Sequence, residues 1–342
     1  MVTMNSSDSA MQRVGPLVET KALMRDLGVD PEPIIRAIGI ESSHLDDEEA
    51  HIPYDAVGSL LKACAEATKC PHFGLLLGTR AGLRHLGIPG EMARNSETIG
   101  AALRIFCVHH HLNTEGAVAV LDHHNGMASI TYAIYEPNLE GDDQICDMAV
   151  ALSFKALREL LGRDCHLEMV DFSHPEPADL APYRDYFQTT LRFDTARPTV
   201  WFTASWIDEK IPGASAKRLT QLHRMALQEN QRGFPKRLRR SIRHLLLSKT
   251  ASADEVSKLV AMHKRTLNRR LKAQGTTFQN LLDETRIQLA QELLTQNKGS
   301  VSEIAQWLGY AHASSFTRAY RRWLGTTPRE GRSTVSSAPR RL

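Results

Sequence analysis

The C-terminal third of the chain repeats itself with a period of about 50 residues. Ser252 with Glu255, and again Ser300 with Glu303, form the S-x-x-E pattern of a capping box, in which a hydroxyl and a carboxylate satisfy free N–H groups at the start of a helix. GTTF at 275–278 is repeated as GTTP at 325–328. The apolar positions also correspond, with one extra residue in the second turn: Val256, Ser257, Val260, Met262, Leu267 and Leu271 match Ile304, Ala305, Leu308, Tyr310, Phe316 and Tyr320. We predict two copies of one unit, each a helix, a tight turn and a second helix.

This region has no strand pattern. Its apolar residues recur at helical spacing, which predicts an all-α domain with helices at 235–248, 253–260, 264–273, 277–295, 301–308 and 313–324. The helix at 277–295 lies between the two repeats and, at 1.5 Å per residue, spans about 30 Å. That length is close to the roughly 34 Å pitch of B-DNA. A rigid helix of this length would hold the two units in successive major grooves.

Charge is divided unequally along the chain. Residues 233–342 carry 21 Lys and Arg against 7 Asp and Glu, a net charge of +14, whereas residues 1–232 carry 21 against 32, a net charge of −11. A basic domain of this size indicates a polyanionic partner, the alternative being that the cations only solvate exposed faces. The segment HKRTLNRRLKAQG at 263–275 concentrates cations at the start of a predicted helix. We expect them to face phosphates and base edges.

The order of these motifs resembles a known family. GTTFQNLLDETRIQLAQELL, followed by SVSEIAQWLGYAHASSFTRAYRRWLGTTPREGR, is similar to the C-terminal domain of AraC/XylS-family bacterial transcription regulators over about residues 235–332. The resemblance implies a seven-helix domain in which two helix-turn-helix motifs bind double-stranded operator DNA. The family's base-facing positions fall on Arg265, Asn268 and Arg269 in the first recognition helix and on Ala313, Ser314, Thr317 and Arg318 in the second.

Side-chain chemistry supports these positions unequally. Arg pairs in bidentate fashion with guanine and Asn with adenine, so Arg265, Asn268 and Arg269 are plausible direct readers. Ala313 offers only a methyl contact, so the second helix is expected to read less sequence. Arg318 reads a base, contacts a phosphate or forms an internal salt bridge.

Other residues of the two helices have simpler expected roles. Lys264 stands beside the readers of the first helix, and Arg322 follows those of the second, where phosphate contact or solvation is favoured. Trp307 and Trp323 lie on apolar faces and are predicted to belong to the core, because readout of double-stranded DNA does not require base stacking.

Residues 1–232 predict a mixed α+β domain. Helical patterns occur near 16–28, 31–38, 53–68, 71–80, 96–111 and 142–162, with a short helix in APYRDYF, and strand patterns occur at 116–121, 127–135, 166–173 and 198–203. HHNG joins the first two strands as a hairpin turn. No Gly-rich phosphate loop follows a strand, so a doubly wound fold is not predicted.

This domain also carries a resemblance. HFGLLLGTRAGLRHLG and the helix NSETIGAALRIF are similar to the ligand-sensing N-terminal domain of an AraC subgroup related to regulators of amino-acid utilisation and virulence, commonly labelled arabinose-binding. The resemblance implies a small-molecule effector. It assigns no residue to the effector pocket.

The histidines are candidates for a metal site: His109, His110, His111, His123 and His124, with Cys107 nearby. Adjacent helical residues point in different directions, and the chain has no H-E-x-x-H or C-x-x-C pair. Solvated histidines are therefore favoured, with one at most in a ligand pocket, and no metal or cofactor is predicted. Without a G-x-S-x-G motif or clustered acids, the chain is not predicted to be an enzyme.

Compartment and membrane association follow from simpler patterns. The five cysteines are dispersed, as in a reduced cytoplasmic protein. The N-terminus has no signal-peptide pattern, and no window approaches the roughly 18 apolar residues of a membrane span. We expect a cytoplasmic protein.

The expected organisation has four segments: a sensing domain at 1–213, a dimerisation helix and linker at 214–233, a DNA-binding domain at 234–332 and a disordered tail at 333–342. Leu219, Leu222, Met225 and Ala226 form one apolar stripe before a Gly-Phe-Pro break, which indicates a dimer or packing helix. A homodimer is expected.

Two functions of different class fit these patterns. The favoured one is an effector-controlled, sequence-specific transcription regulator, which would also contact RNA polymerase if it activates. The alternative is a small-molecule-binding or enzymatic N-terminal domain whose C-terminal part binds nucleic acid without specificity. The affinity ratio between operator and random DNA separates them.

Overall fold

The computed structural model describes residues 10–134, 139–162, 165–229, 264–273, 275–295 and 299–336, with isolated positions at Leu238, Ile242 and Leu246. The chain divides into two compact units, Met1–Gln231 and Arg232–Leu342. The capping box predicted at Ser252 and the helix predicted at 253–260 lie outside the described residues. Of the helix predicted at 235–248, the three isolated positions are described, and each is helical and fully buried.

Nine α-helices are described in the first unit. They are α1 Thr20–Asp26, α2 Pro31–Ile38, α3 Tyr54–Thr68, α4 Phe73–Arg80, α5 Gly87–Arg94, α6 Ile99–His109, α7 Asp142–Leu161, α8 Ala181–Phe187 and α9 Ala216–Glu229. Short 3-10 helices occupy Gly15–Leu17, Ser42–Asp46, Leu83–Leu86, His110–Leu112 and Ala204–Asp208. The single helix predicted at 16–28 is therefore a 3-10 turn followed by α1.

Seven strands are described: β1 Met11–Arg13, β2 His51–Pro53, β3 Ala117–His124, β4 Met127–Ile134, β5 Met169–Asp171, β6 Thr190–Arg192 and β7 Thr199–Thr203. β1 and β2 form a two-stranded antiparallel sheet, and the others form a five-stranded sheet in the order β3-β4-β7-β5-β6. Only the β5–β6 pair of the larger sheet is parallel. The strand predicted at 166–173 was too long, because only three of its residues pair.

The β3–β4 hairpin closes through the HHNG turn predicted from the sequence. Asn125 and Gly126 have φ values of 52° and 79°. Two successive positive φ angles define the type I′ turn that matches the twist of a hairpin, and Asn-Gly is the dipeptide that adopts them most readily. The turn sets the register of the two strands, with His124 opposite Met127.

Helices α4 and α7 pack closely because α4 presents glycines to its neighbour. A Cβ atom at Gly74 would collide with the carbonyl oxygen of Gln144, and one at Gly78 with that of Met148. The contact is reinforced by the Gln144 side chain, whose Oε1 accepts a hydrogen bond of 2.9 Å from the Gly74 amide. Both helices contribute residues to the two larger buried clusters of the unit, one around the N-terminal helices and one against the large sheet.

The second unit is helical throughout its described part. Its helices are α10 Lys264–Ala273, α11 Phe278–Thr295, α12 Val301–Trp307, α13 Ala313–Leu324 and α14 Pro328–Ser336. The sequence predicted the bounds of α10 and α13 and came within one residue of those of α11 and α12. Helix α14 continues four residues into the segment expected to be a disordered tail. The chain is therefore α+β, with a sheet-containing first unit and a helical second unit.

Candidate DNA-binding surface

Helix α10 is divided into an apolar face and a basic face. Leu267 and Leu271 are buried, with 0% and 1% of their surface exposed. Asn268, Arg269 and Lys272 are exposed on the other side. Lys264 and Arg265, at the start of the helix, are also exposed. The four positions assigned to this helix from the sequence therefore lie on its solvent-facing side.

Helix α13 has the same division. Phe316, Ala319 and Tyr320 are buried, and Ser314, Arg318 and Arg322 are exposed. Phe316 and Tyr320 correspond to Leu267 and Leu271 of α10, as the internal repeat predicts. Both helices are thus anchored through equivalent positions.

Two assigned positions of α13 are less open than the others. Ala313 and Thr317 are half-buried, and the Thr317 hydroxyl donates a 2.9 Å hydrogen bond to the Ala313 carbonyl one turn earlier. This bond uses the only hydrogen that the hydroxyl can donate, so Thr317 can offer a base only an acceptor or its methyl group. The structure leaves Ser314 and Arg318 as the most accessible polar groups at the start of α13.

The helix that precedes α13 begins with the predicted capping box. The Ser300 hydroxyl accepts a 3.2 Å bond from the Glu303 amide, and the Glu303 carboxylate accepts a 2.7 Å bond from the Ser300 amide. These hydrogen bonds lower the pKa of Glu303 below its ordinary value. Because the side chains satisfy two N–H groups that a helix start leaves free, α12 begins at a defined residue.

A second capping box starts α14 and was not recognised in the sequence. The Thr327 amide donates to the Glu330 carboxylate at 2.7 Å, and the Glu330 amide donates to the Thr327 hydroxyl at 3.3 Å. The T-x-x-E spacing of TTPRE was the signal that could have revealed it.

The first turns of α12, α13 and α14 border one concave surface, and the space that it encloses has a volume of about 880 Å³. Its lining residues are Ser300, Val301, Ser302, Ala313, Ser314, Thr317, Thr327, Pro328, Arg329 and Arg332. Helix N-termini carry partial positive charge and attract anions. Arg332 is held at this surface by a 2.7 Å bond from its guanidinium to the Gly299 carbonyl. Arg329 and Arg332 add positive charge to this surface, and the carboxylates of Glu303 and Glu330 cap two of the three helix starts that border it.

Both tryptophans of this unit are half-buried. The Trp307 ring lies so close to Gly299 that a Cβ atom there would approach it to 2.8 Å, and the Trp323 ring lies 6.4 Å from that of Tyr310. These contacts fit the packing role predicted for the two residues.

The histidines of the first unit are dispersed over different environments. The His109 ring is buried at the end of α6, 6.2 Å from His111 and 5.9 Å from His223 of α9. Burial, together with these two neighbouring rings, lowers the pKa of His109 to about 3. His123 is exposed in the hairpin. Within the described ranges, no three His, Cys, Asp or Glu residues form a group that could hold a metal ion.

Comparisons with known proteins agree with this architecture. The family described as the arabinose-binding domain of AraC transcription regulator, N-terminal, matches residues 28–211, and a helix-turn-helix domain family matches residues 256–334. The chain is 28% identical over 321 residues to the HTH-type transcriptional regulator VirS of Mycobacterium tuberculosis, covering 91% of this chain and 93% of the relative. It is 23% identical over 320 residues to an ornithine utilization regulator of Pseudomonas aeruginosa, with the same coverage of 91% and 93%.

One solved structure spans both units. The crystal structure of the transcriptional regulator CdpR from Pseudomonas aeruginosa aligns with a TM-score of 0.44 at 20% identity, over 89% of this chain and 96% of that one.

The chain belongs to the AraC family of transcription regulators. It combines an arabinose-binding-type N-terminal domain with a helix-turn-helix DNA-binding domain, as the sequence motifs predicted. The two relatives above, which match it over most of its length, are both named as regulators, and VirS as a transcriptional one. No described helix is both long and apolar enough to cross a membrane.

Proposed function

We propose that this regulator reads DNA through α10 and α13, which lie in two successive major grooves. Arg265, Asn268 and Arg269 of α10 would contact base edges, since Arg and Asn can pair with guanine and adenine in bidentate fashion. Lys264 would contact a phosphate beside them. The observation that carries the proposal is the shared division of the two helices, each with equivalent apolar residues buried and its polar residues exposed.

The second helix would read fewer bases than the first. Ser314 and Arg318 are the exposed polar groups near its start, whereas Ala313 and Thr317 are half-buried and offer methyl or acceptor contacts. Arg322 is also exposed, about one turn beyond Arg318, and would contact the phosphate backbone. The concave surface formed by the starts of α12, α13 and α14 would hold phosphates of the same groove through Arg329, Arg332 and the start of α13, since glutamates already cap α12 and α14.

Base substitutions in a selected duplex test this division of roles. The full-length protein is used to select its best duplex from a randomised pool, and binding is then measured for every single base-pair change. Arg269→Ala should weaken binding to the best duplex by about 1 to 3 kcal/mol and relax preference at one base pair. Arg322→Ala should weaken all duplexes alike and reduce the salt slope by about 1. Equal losses on selected and random DNA for Arg269→Ala would remove it from the readers.

The N-terminal unit would be the sensor, and α9 would connect it to the DNA-binding unit. Leu222 and Ala226 of α9 are buried in a cluster with Met92 of α5, so this helix belongs to the first unit. An effector that changes the packing of α9 would change the arrangement of the DNA-binding units that follow it. The effector can change this equilibrium only if it binds one arrangement of the DNA-binding units more tightly than the other.

The outward face of α9 would form the contact between two protomers. Met225 and Leu227 are 41% and 44% exposed and, being two residues apart on a helix, lie at opposite edges of that face. Each would add apolar area to a contact that covers the face. We therefore propose a homodimer that binds a paired site in the cytoplasm, with RNA polymerase as a further partner if the protein activates transcription.

A further inference from the structure

Arg286 of the connecting helix α11 is turned toward the second helix-turn-helix motif. Its Nε donates a 3.0 Å hydrogen bond to the carbonyl oxygen of Leu308, 22 residues further along the chain. Its guanidinium carbon lies 5.0 Å from the centroid of the Tyr310 ring. Asp283, one turn earlier on α11, lies 3.5 Å from its Nη1. Only 16% of the Arg286 side chain is exposed, so it is placed for contact with the turn and not with DNA phosphates.

The residues that Arg286 touches form the turn between α12 and α13. Leu308 is the C-cap residue that follows α12, and Gly309 comes next with a φ of 78°, a conformation that favours glycine. A Cβ atom at Gly309 would lie 3.5 Å from Nη2 of Arg286, which shows how closely the guanidinium covers the turn. The Leu308 carbonyl belongs to the last turn of α12, where carbonyl groups lack helical partners. The arginine supplies one of them with a donor.

Tyr310 lies in the turn and packs against the recognition helix α13. Its ring lies 5.8 Å from that of Phe316 and 6.4 Å from that of Trp323, and both of these residues belong to α13. The cation on α11 thus rests on an aromatic ring that packs against two turns of α13. A guanidinium over an aromatic face is attractive and has a preferred geometry.

The orientation of α13 matters because base readout tolerates little error. With 12 residues the helix is about 18 Å long at 1.5 Å per residue. A small rotation about its middle moves the start of the helix, where Ser314 lies, by more than the few tenths of an ångström that a hydrogen bond near 2.9 Å allows. Helix α13 must therefore be held at a fixed angle to α11, the helix that joins the two motifs.

We propose that Arg286 is a positioning residue that sets the angle of the second recognition helix, and thereby the base preference of the half-site that this helix reads. The proposal rests on the proposed function, since it requires that α13 reads bases. Arg286 touches no DNA and acts through Tyr310 and the Leu308 carbonyl. Here a half-site means the part of the selected duplex that one recognition helix of a protomer reads. Replacement of Arg286 should affect the half-site of α13 and spare the half-site of α10.

The test uses full-length protein and the duplex that the wild type selects from a randomised pool. The half-site of α13 is identified as the one in which Arg318→Ala relaxes base preference. In Arg286→Met we expect the affinity ratio between the selected duplex and one with that half-site scrambled to fall at least about tenfold. The corresponding ratio for the other half-site should change less than about threefold.

Variants at Tyr310 and on α11 complete the design. Tyr310→Ala should reproduce the selective loss, and Tyr310→Phe should keep wild-type preference. Arg286→Met with Tyr310→Ala should lose less than the sum of the two single losses, because the two residues share one contact. Gln291→Met, on an exposed position of α11, controls for a general effect on the helix. Equal loss in both half-sites, or an unchanged preference in the half-site of α13, would overturn the proposal. A wild-type protein without any base preference would instead overturn the proposed function.

Discussion

Nε2 of His174 lies 2.9 Å from Oδ1 of Asp147 within the N-terminal unit, and only 15% and 1% of these side chains are exposed. The other carboxylate oxygen accepts a 2.5 Å bond from the Tyr183 hydroxyl. On the far side of the ring, Nδ1 of His174 lies 2.8 Å from the carbonyl oxygen of Pro175. Both ring nitrogens face acceptors, which favours the doubly protonated, charged imidazole. Asp147 lies on α7, His174 lies in the segment that follows β5, and Tyr183 lies on α8. The three side chains therefore connect these three parts of the unit.

This pair should make the stability of the N-terminal unit depend on pH. Burial opposes the charged ring, but the hydrogen bond and the charge of Asp147 prevail and raise the pKa of His174 above its ordinary value of 6.5. A raised folded-state pKa contributes stability that is fully present below the unfolded pKa and is lost as the pH rises through the folded value. The melting temperature of this unit in the full-length protein should therefore decline as the pH rises above about 6.5.

His174→Gln should flatten that pH profile. His123→Gln, at an exposed hairpin position, is the matched control and should leave it unchanged. Differential scanning calorimetry at several pH values separates the unfolding transitions of the two units. A wild-type profile that is flat above pH 6.5 would show that His174 is not charged in the folded state.

Leu222→Ala should destabilise the attachment of α9 to the first unit. Leu222 is 2% exposed and packs with Met92 and Ala226, so its truncation leaves a cavity and should cost about 2 to 3 kcal/mol. Arg224 lies on the same helix but is exposed, and Arg224→Ala should cost less than about 0.5 kcal/mol. Hydrogen exchange of the α9 amides measures the difference. Equal protection in both variants would place α9 outside the core.

Ser300→Ala should destabilise the second unit by about 1 kcal/mol, because it removes the acceptor for the Glu303 amide at the start of α12. Ser302 is exposed two residues later, and Ser302→Ala serves as the control. Urea unfolding of a fragment that begins near Gly233, in which Trp307 and Trp323 are the only tryptophans, reports on this unit by fluorescence. If both variants unfold at the same urea concentration, the capping box does not contribute measurably.

A fragment that begins near Gly233 should fold and bind DNA by itself, because the chain divides into two units at Gln231 and Arg232. It should bind a single site as a monomer, whereas the full-length protein should sediment as a dimer. Met225→Glu with Leu227→Glu should convert the full-length protein to a monomer if the outward face of α9 joins two protomers. An unfolded circular dichroism spectrum for the fragment would show that the boundary is misplaced.

The helices of the second unit could be predicted because their local signals are strong. Ser300 and Glu303 mark the start of α12, Gly325 with a φ of 75° marks the end of α13, and apolar residues recur at helical spacing between them. These signals depend on neighbouring residues in the chain. Short-range chemistry therefore decided where α12 begins and where α13 ends.

The first unit was harder to predict, for physical reasons that differ between elements. Strands β1, β2 and β6 have three residues each, too few to show alternation, and distant partners hold them in place. Helix α5 contains Gly87, Pro89 and Gly90, which disfavour a helix locally, and it is stabilised by packing against α6 and α9. The hydrogen bond from Arg286 to the Leu308 carbonyl could not be predicted from the sequence either, because every residue supplies a backbone carbonyl.

The most direct test of readout through two recognition helices is the affinity ratio of the full-length wild-type protein for two duplexes. One is the duplex selected from a randomised pool, and the other has the same composition in scrambled order. Both affinities should fall as salt rises, because both duplexes release counterions. Specific readout by α10 and α13 predicts that the selected duplex binds at least about 10³-fold more tightly at physiological salt. A ratio near one at every salt concentration would contradict it and leave a protein that binds DNA through charge alone.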